Sequence, residues 1–315
     1  MRALITGIAG FVGGHLAEAL QAETDWEVWG AVIGSVARAS AISGAKMLTT
    51  DLREPEQARV LVETARPDVV FHLAAQAYVP QSWADPWDTY QTNVGGQLNL
   101  LEAIGKAGLR PRILIISSNE VYGLVRPEDL PLTENSPLRP NSPYAVSKLA
   151  QDFMGLQYFF DRGWPIIRMR PFNHIGPRQN ERFVAPSFAK QIVEIERGRH
   201  APVLRLGNMA AQRDFTDVRD VVRAYILAAQ KGEPGEVYNI GTGQARSVRE
   251  MLDIMLAQCS MPISEETDPA KFRPSDTPIS YADPSKFKRQ TGWEPRWSFE
   301  QTCVDILNDW RARIP

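Results

Sequence analysis

The sequence is poor in the features that mark a protein for a membrane, a disulfide framework or a nucleic-acid polymer. It carries two cysteines in 315 residues, Cys259 and Cys303, far apart and in no CxxC or zinc-ligand spacing. That argues against a disulfide-stapled secreted domain and for a reduced, cytoplasmic setting. No run of about 18 apolar residues occurs, so no membrane span is expected. Excess charge is lacking too: 35 Lys and Arg against 37 Asp and Glu leave −2, far from the basic surplus of a protein that coats nucleic acid. The four histidines show no ligand spacing, so no metal is expected. Internal repeats and low-complexity tracts are absent. The opening MRALITGIAGFVGG has one Arg and a short apolar stretch, as a signal peptide does. Its glycines fall at motif spacing and no small-residue cleavage site follows, so it reads as structure. What remains is a globular composition, 43% apolar and 23% charged, long enough for one large α/β domain or two fused lobes.

Short apolar runs alternate with helical patterns. Arg2 to Thr6, Val28 to Val32, Asp68 to Leu73, Arg112 to Ile116 and Ile166 to Arg170 read as strands with few polar residues inside, which suits parallel strands covered on both faces. Phe11 to Leu20, Glu54 to Ala65, Thr89 to Ala107 and Tyr144 to Arg162 read as helices. The alternation predicts an α/β, Rossmann-type doubly wound parallel sheet. After Pro171 loops rich in Asn, Pro and Gly appear, with isolated strands at Val203 to Leu206 and Val237 to Ile240. Residues 264–284 read as loop, and Ser298 to Ile314 as an amphipathic helix. The expected organisation is a dinucleotide-binding domain over 1–170 and a smaller α/β substrate lobe over 171–315, with a return to the first domain around 218–240.

Gly7, Gly10 and Gly13 form GxxGxxG directly after the first strand, followed by Phe11 and Val12 inside the motif. A tight strand-to-helix turn of this kind lets backbone amides approach a pyrophosphate, and small residues there also permit close helix–sheet packing. An acidic residue at the end of strand two would bind ribose hydroxyls. Here that strand ends without a carboxylate, and Ser35 and Arg38 follow, able to face a 2′-phosphate. This favours NADP(H), with NAD(H) possible if the two are plain loop residues. Asp51, followed by Leu52, is placed to cap the helix near Glu54, and the resemblance of the glycine motif to that of the short-chain dehydrogenases/reductases implies that this pair meets the adenine. Leu73, Ala74 and Ala75 are small and smooth, suited to lie under a cofactor. Asn93 is a candidate backbone-pinning amide beside it.

Tyr144 and Lys148 stand four apart in PNSPYAVSK, on one face of a helix. A phenol titrates near pH 10 and needs a nearby ammonium to serve at neutral pH, which Lys148 supplies while also holding a ribose. A third hydroxyl is expected at the end of strand four, where SSNEVYG offers Ser117 and Ser118; the simpler role of Ser117 is strand-end packing. Glu120 is a further candidate acid or base.

With these pieces together, the chain resembles the extended short-chain dehydrogenases/reductases that modify nucleotide sugars, over nearly its whole length. FNHIGPRQ, FVAPSFAKQIVEIERG, LRLGNMAAQRDFTDVRD and FRPSDTP resemble GDP-4-keto-6-deoxy-D-mannose reductases in particular, with GDP-mannose 4,6-dehydratases next by pattern. The resemblance implies an oxidoreductase acting at C4 of a GDP-linked sugar, with Ser118, Tyr144 and Lys148 catalytic. It implies Asn173 on the sugar or diphosphate, Lys190 at the guanine or its ribose, Arg213 and Arg273 on the diphosphate, and Ser82 as a lesser sugar contact. Surface pairing of Arg213 with Asp214 or Asp217 is the plainer alternative. A dehydratase needs a further carboxylate beside the Ser/Thr, where this chain has Asn119 followed by Glu120. A C4 epimerase and a cofactor-bound regulatory protein are the other readings. The resemblance also implies a homodimer built on the helices Thr89 to Ala107 and Tyr144 to Arg162, with Phe153, Met154, Tyr158 and Phe159 as candidate apolar surface. Finally, residues 168–219 hold ten Lys or Arg against five Asp or Glu, a local surplus suited to an anionic nucleotide partner.

Overall fold

The computed structural model describes residues 1–34, 42–271 and 277–315. Ser35 and Arg38, from the cofactor argument, and Arg273, from the diphosphate argument, lie outside the described residues. The first half alternates β1 (Arg2–Thr6), α1 (Phe11–Glu23), β2 (Glu27–Val32), β3 (Lys46–Thr49), α2 (Pro55–Ala65), β4 (Val69–His72), α3 (Val79–Ala84), α4 (Pro86–Tyr90), α5 (Gly96–Lys106), β5 (Arg112–Ile116), α6 (Pro143–Arg162) and β6 (Ile166–Pro171). The second half adds β7 (Asn173–Ile175), α7 (Val184–Glu196), β8 (Val203–Leu206), β9 (Gln212–Arg213), β10 (Phe215–Asp217), α8 (Val218–Lys231) and β11 (Val237–Ile240). It closes with β12 (Arg246–Ser247), α9 (Val248–Leu256), β13 (Ser264–Thr267), β14 (Ile279–Ser280), α10 (Ser285–Thr291) and α11 (Phe299–Arg313).

Seven strands form one sheet in the order β11-β6-β5-β4-β1-β2-β3, every pair parallel. The chain therefore switches direction across the sheet at β1 and β4, and a doubly wound sheet binds its ligand at the strand ends beside that switch. The strands are apolar throughout because both faces are covered. One face packs α1 and α8 through Leu16, Val221 and Tyr225, the other α2, α5 and α6 through Leu61, Leu101 and Tyr158. A separate core joins α7, α9 and α11 through Phe188, Ile192, Met251 and Leu307.

Three local differences from the sequence reading have physical causes. β3 went unseen because it is an edge strand with half-exposed side chains, which lacks the apolar run of a covered strand. The helix expected over Thr89 to Ala107 is interrupted by a π turn at Gln91–Gly95. Residues 264–284 contain β13, parallel to β8, and β14, parallel to β9; β13 is polar and fully exposed, so it has no apolar run to reveal it, and β14 has only two residues.

The loop after β7 is clasped to α1 and α11. Arg178, held at φ 71, donates to Glu18 at 2.6 Å and to His15 Nδ1 at 2.8 Å, while its backbone N–H reaches Asp309 on α11 at 2.8 Å. Of the apolar residues proposed for an outer face of α6, Phe153 is exposed but Tyr158 is buried against Trp164. Met154 packs on the core and Phe159 lies over Gly235. The most exposed ring on that helix is Phe160.

Candidate active site

The ends of β1, β4, β5 and β6 bring the sequence-predicted residues to one edge of the sheet. At β1 the chain turns through Gly7 at φ 73, where an added Cβ would stand 3.0 Å from the Ala74 backbone. At Gly13 a Cβ would stand 2.4 Å from Gly7 O. These two glycines are demanded by packing alone. Gly10 differs: it is exposed and is the N-cap of α1, with no side chain capping the helix and no acidic residue in its first turn. The orphan N–H groups of the first turn, at Phe11 and beyond, are therefore left for a ligand. An uncapped, positively polarised helix start behind a side-chain-free turn fits a dinucleotide pyrophosphate.

The adjoining floor is rigid. Asn93, wholly buried on the π turn, accepts from Gln76 N at 2.7 Å, donates to Gln76 O at 3.1 Å and to Ser147 Oγ at 2.9 Å. It pins the end of the Leu73–Ala75 shelf to α6, and both ends of its amide are used, so it acts through the backbone of that shelf. The π turn supplies the extra residue that swings this side chain inward. Leu52 is a core residue beneath Gly96. Asp51 does not cap α2, whose N-cap is Glu54. It pairs with Arg53 at 2.6 Å, and that side-chain hydrogen bond holds its carboxyl below the usual range.

Tyr144 and Lys148 owe their place to the start of α6. Ser142 is the N-cap, accepting from Ala145 N at 3.1 Å, and Pro143 occupies the first turn, as helix starts favour. Tyr144 follows at once, and Lys148 lies one turn deeper and buried. Ser117 donates to Lys148 O at 3.2 Å, which leaves Ser118 facing the phenol. Burial pushes the Tyr144 phenol up to about 12; a hydrogen bond with Ser118 pulls against that, and the Glu120 charge adds to it. The phenol thus keeps its proton at neutral pH. Burial holds the Lys148 ammonium down at about 7, opposed by Asp152. Lys148 was expected to act on the phenol, but its Nζ donates to Gln151 Oε1 at 2.6 Å.

Beside this group opens a cleft with about 110 Å³ of water-accessible space, lined by Asn119, Glu120, Asn141, Ser142, Asn173, Arg213, Thr277 and Ser280 among others. Asn173 Oδ1 is buried there without a hydrogen-bond partner, an acceptor left waiting for a donor. Arg213 lines the cleft, and the aspartates near it are committed elsewhere. Asp214 accepts from Thr242, Gly243 and Ala282, and Asp217 from Arg219 and Thr302. Two residues are not brought to the cleft lining. Ser82 is fully buried and donates to Val79 O at 2.7 Å. Lys190, on α7, pairs with Glu181 at 3.2 Å. Sequence reasoning missed Asn141, Thr277 and Gln151; of these, only Asn141 had a local signal, its place before the Ser-Pro helix start.

Comparison with known proteins accords with this geometry. Residues 4–306 match the family described as GDP-mannose 4,6 dehydratase. The chain is 38% identical to the GDP-6-deoxy-D-mannose reductase of Pseudomonas aeruginosa, over 99% of this chain and 98% of that protein. It is 31% identical to GDP-mannose 4,6 dehydratase 1 of Arabidopsis thaliana, over 98% of this chain and 89% of that one. Among solved structures, RMD from Pseudomonas aeruginosa complexed with NADPH superposes with a TM-score of 0.89 at 37% identity, covering 99% of each chain. The UDP-glucose 4-epimerase of Thermus thermophilus complexed with NAD superposes at 0.87 with 31% identity, covering 100% of each. The fold is thus shared with full-length relatives, and the chain belongs to the GDP-mannose 4,6-dehydratase family of extended short-chain dehydrogenases/reductases.

Proposed function

We propose that the protein reduces the C4 keto group of a GDP-4-keto-6-deoxy-hexose, converting GDP-4-keto-6-deoxy-D-mannose to GDP-D-rhamnose with NADPH. The observation that carries this reading is the full-length likeness to a GDP-6-deoxy-D-mannose reductase, joined to a side chain at position 119 that is an amide and cannot shuttle protons as a carboxylate does. NADP(H) is favoured because the superposable reductase structure holds NADPH; NAD(H) is the alternative.

The uncapped start of α1, with Gly7, Gly10, Phe11, Val12 and Gly13, would hold the pyrophosphate, Asp51 and Leu52 the adenine, and the Leu73–Ala75 shelf the nicotinamide side. When bound, the cofactor supplies the hydride. Tyr144, kept protonated, donates its proton to the C4 oxygen as charge develops there, and Ser118 donates a hydrogen bond to the same oxygen. Lys148 holds the ribose, and its positive charge favours the phenolate that Tyr144 leaves behind. Asn173 and Arg213 orient the sugar diphosphate, the guanidinium fork matching phosphate oxygens.

The test is purified protein with NADPH and GDP-4-keto-6-deoxy-D-mannose: the reduced-nicotinamide absorbance should fall, and a flat trace removes the reductase reading. Dehydration of GDP-mannose is the second reading, favoured by the family match and by Glu120 lining the cleft; release of a 4-keto sugar without added cofactor would support it.

The same reading includes a homodimer in the cytoplasm. Phe160 is 75% exposed, Trp87 69%, Phe153 48% and Leu98 42%, an apolar set on α4, α5 and α6 that water-facing helices rarely carry. Sedimentation should give a dimer that Phe160→Glu splits.

A further inference from the structure

A line of buried polar side chains runs from Lys148 into the sheet. Lys148 Nζ donates to Gln151 Oε1 at 2.6 Å, and Gln151 Nε2 stands 3.3 Å from His72 Nε2. His72 Nδ1 stands 2.9 Å from Thr6 Oγ1, which accepts from Ala74 N at 3.1 Å. Thr6 and Gln151 are 0% exposed, His72 1% and Lys148 4%. Thr6 and His72 are register partners on β1 and β4, and Thr6 immediately precedes Gly7.

The chemistry fixes the direction of the line. An ammonium can only donate, so Gln151 must turn its oxygen to Lys148 and its NH2 to His72. His72 Nε2 must then accept, which places the ring proton on Nδ1, where it donates to Thr6. The ring is therefore neutral with one tautomer. A proton on Nε2 would set two donors against each other, and the amide could escape only by turning its NH2 toward the ammonium.

We propose that Gln151, His72 and Thr6 are a positioning relay that holds the Lys148 ammonium and the Ala74 backbone in one register beneath the cofactor. It rests on the cofactor assignment above. Buried polar groups need partners in any core, but packing alone would be served by apolar side chains. This line ends instead at a ribose-holding ammonium, at the cofactor shelf and at the glycine turn. The charged or titratable groups around Lys148 are Tyr144 and Asp152 on its own helix and His72 on β4. Asp152 is already held by Arg168 at 2.8 Å and Arg170 at 2.7 Å on β6, which leaves the Gln151 oxygen as the acceptor for Lys148.

Two measurements test the relay. Nitrogen NMR of the histidine rings in the wild-type protein should show His72 neutral and protonated on Nδ1 between about pH 5 and 6, where Lys148 keeps its proton; an Nε2-protonated ring, or a ring that titrates in that window, overturns the proposal. The second follows NADPH binding against pH by fluorescence, without sugar. Affinity is expected to fall as the ammonium loses its proton. Gln151→Glu should move that midpoint up by about one pH unit or more, and Gln151→Leu should move it down. Folded variants that both keep the wild-type midpoint refute the relay, because altered packing does not shift titration in opposite directions. If Gln151→Leu fails to fold, the near-isosteric Gln151→Glu still decides. Binding of NADPH needs no sugar, so a protein that binds it normally and reduces no keto sugar fails the reductase reading and leaves the relay standing.

Discussion

Asn173→Leu separates binding from stability at one residue. The Asn173 oxygen is buried at the cleft with no partner, and a buried acceptor left unpaired costs about 1–3 kcal/mol. Leucine has a similar shape, keeps the backbone pairing of Asn173 with Phe215 and removes the unpaired oxygen. Taking the lower end, the ligand-free protein should gain about 1 kcal/mol, a rise of roughly 2 °C in melting temperature for a chain this long. The same change removes an acceptor that the sugar would use. One hydrogen bond, stronger if the partner is charged, is worth about 1–3 kcal/mol, so kcat/KM for the keto sugar should fall about 5- to 150-fold. Thermal melts without ligand and steady-state NADPH oxidation read the two effects independently. A variant that melts lower and keeps the wild-type KM would show that the amide serves the free fold, and would remove Asn173 from the substrate site.

Tyr144→Phe should lower turnover about 10²- to 10⁴-fold, the usual contribution of a positioned proton donor, with NADPH binding nearly unchanged; near-normal turnover would exclude the phenol as the acid. Asp152→Asn leaves the buried Arg168 and Arg170 without their anion and should cost about 3–5 kcal/mol in denaturant unfolding; a cost under about 1 kcal/mol would contradict the pairing. Burial holds His72 down at about 3, whereas an unfolded histidine titrates near 6.5. Below pH 6.5 the unfolded chain takes up a proton that the fold refuses. Stability is therefore complete above pH 6.5 and falls by about 1.4 kcal/mol per pH unit toward pH 3 from this ring. His72→Gln should flatten that slope, and an unchanged slope would refute the assignment.

Much of the fold was legible because covered parallel strands write their burial into consecutive residues: Ile113 to Ile116 and Val69 to Phe71 needed no partner to be recognised. The edge strand β3 did not, since half its side chains face water. The glycine turn, Ser118, Tyr144 and Lys148 were legible because their chemistry depends on short spacings along the chain. Gln151 and His72 were not, because they meet across 79 positions and neither carries a local pattern. Ser82 illustrates the opposite failure: a hydroxyl in a plausible loop became a buried helical side chain that donates to its own backbone. On α6 the period marked an apolar helix without saying which ring faces outward: Tyr158, expected on the surface, is buried, and Phe160, which the sequence reading had not singled out, faces water.

The glycine turn bears on how such motifs are counted. Gly7 and Gly13 are imposed by contacts between β1, α1 and the Ala74 backbone, so a descendant that had abandoned nucleotide chemistry would still have to keep them. Gly10 is less constrained: it is exposed, its φ of −76 suits any residue, and an added Cβ would meet only Gly7 O, at 3.1 Å. A survey of related chains that weights the three positions equally would therefore score inert folds as binders. Drift at the middle glycine, or a serine or aspartate arriving there to cap the helix, is the earlier sign that the phosphate seat has been given up.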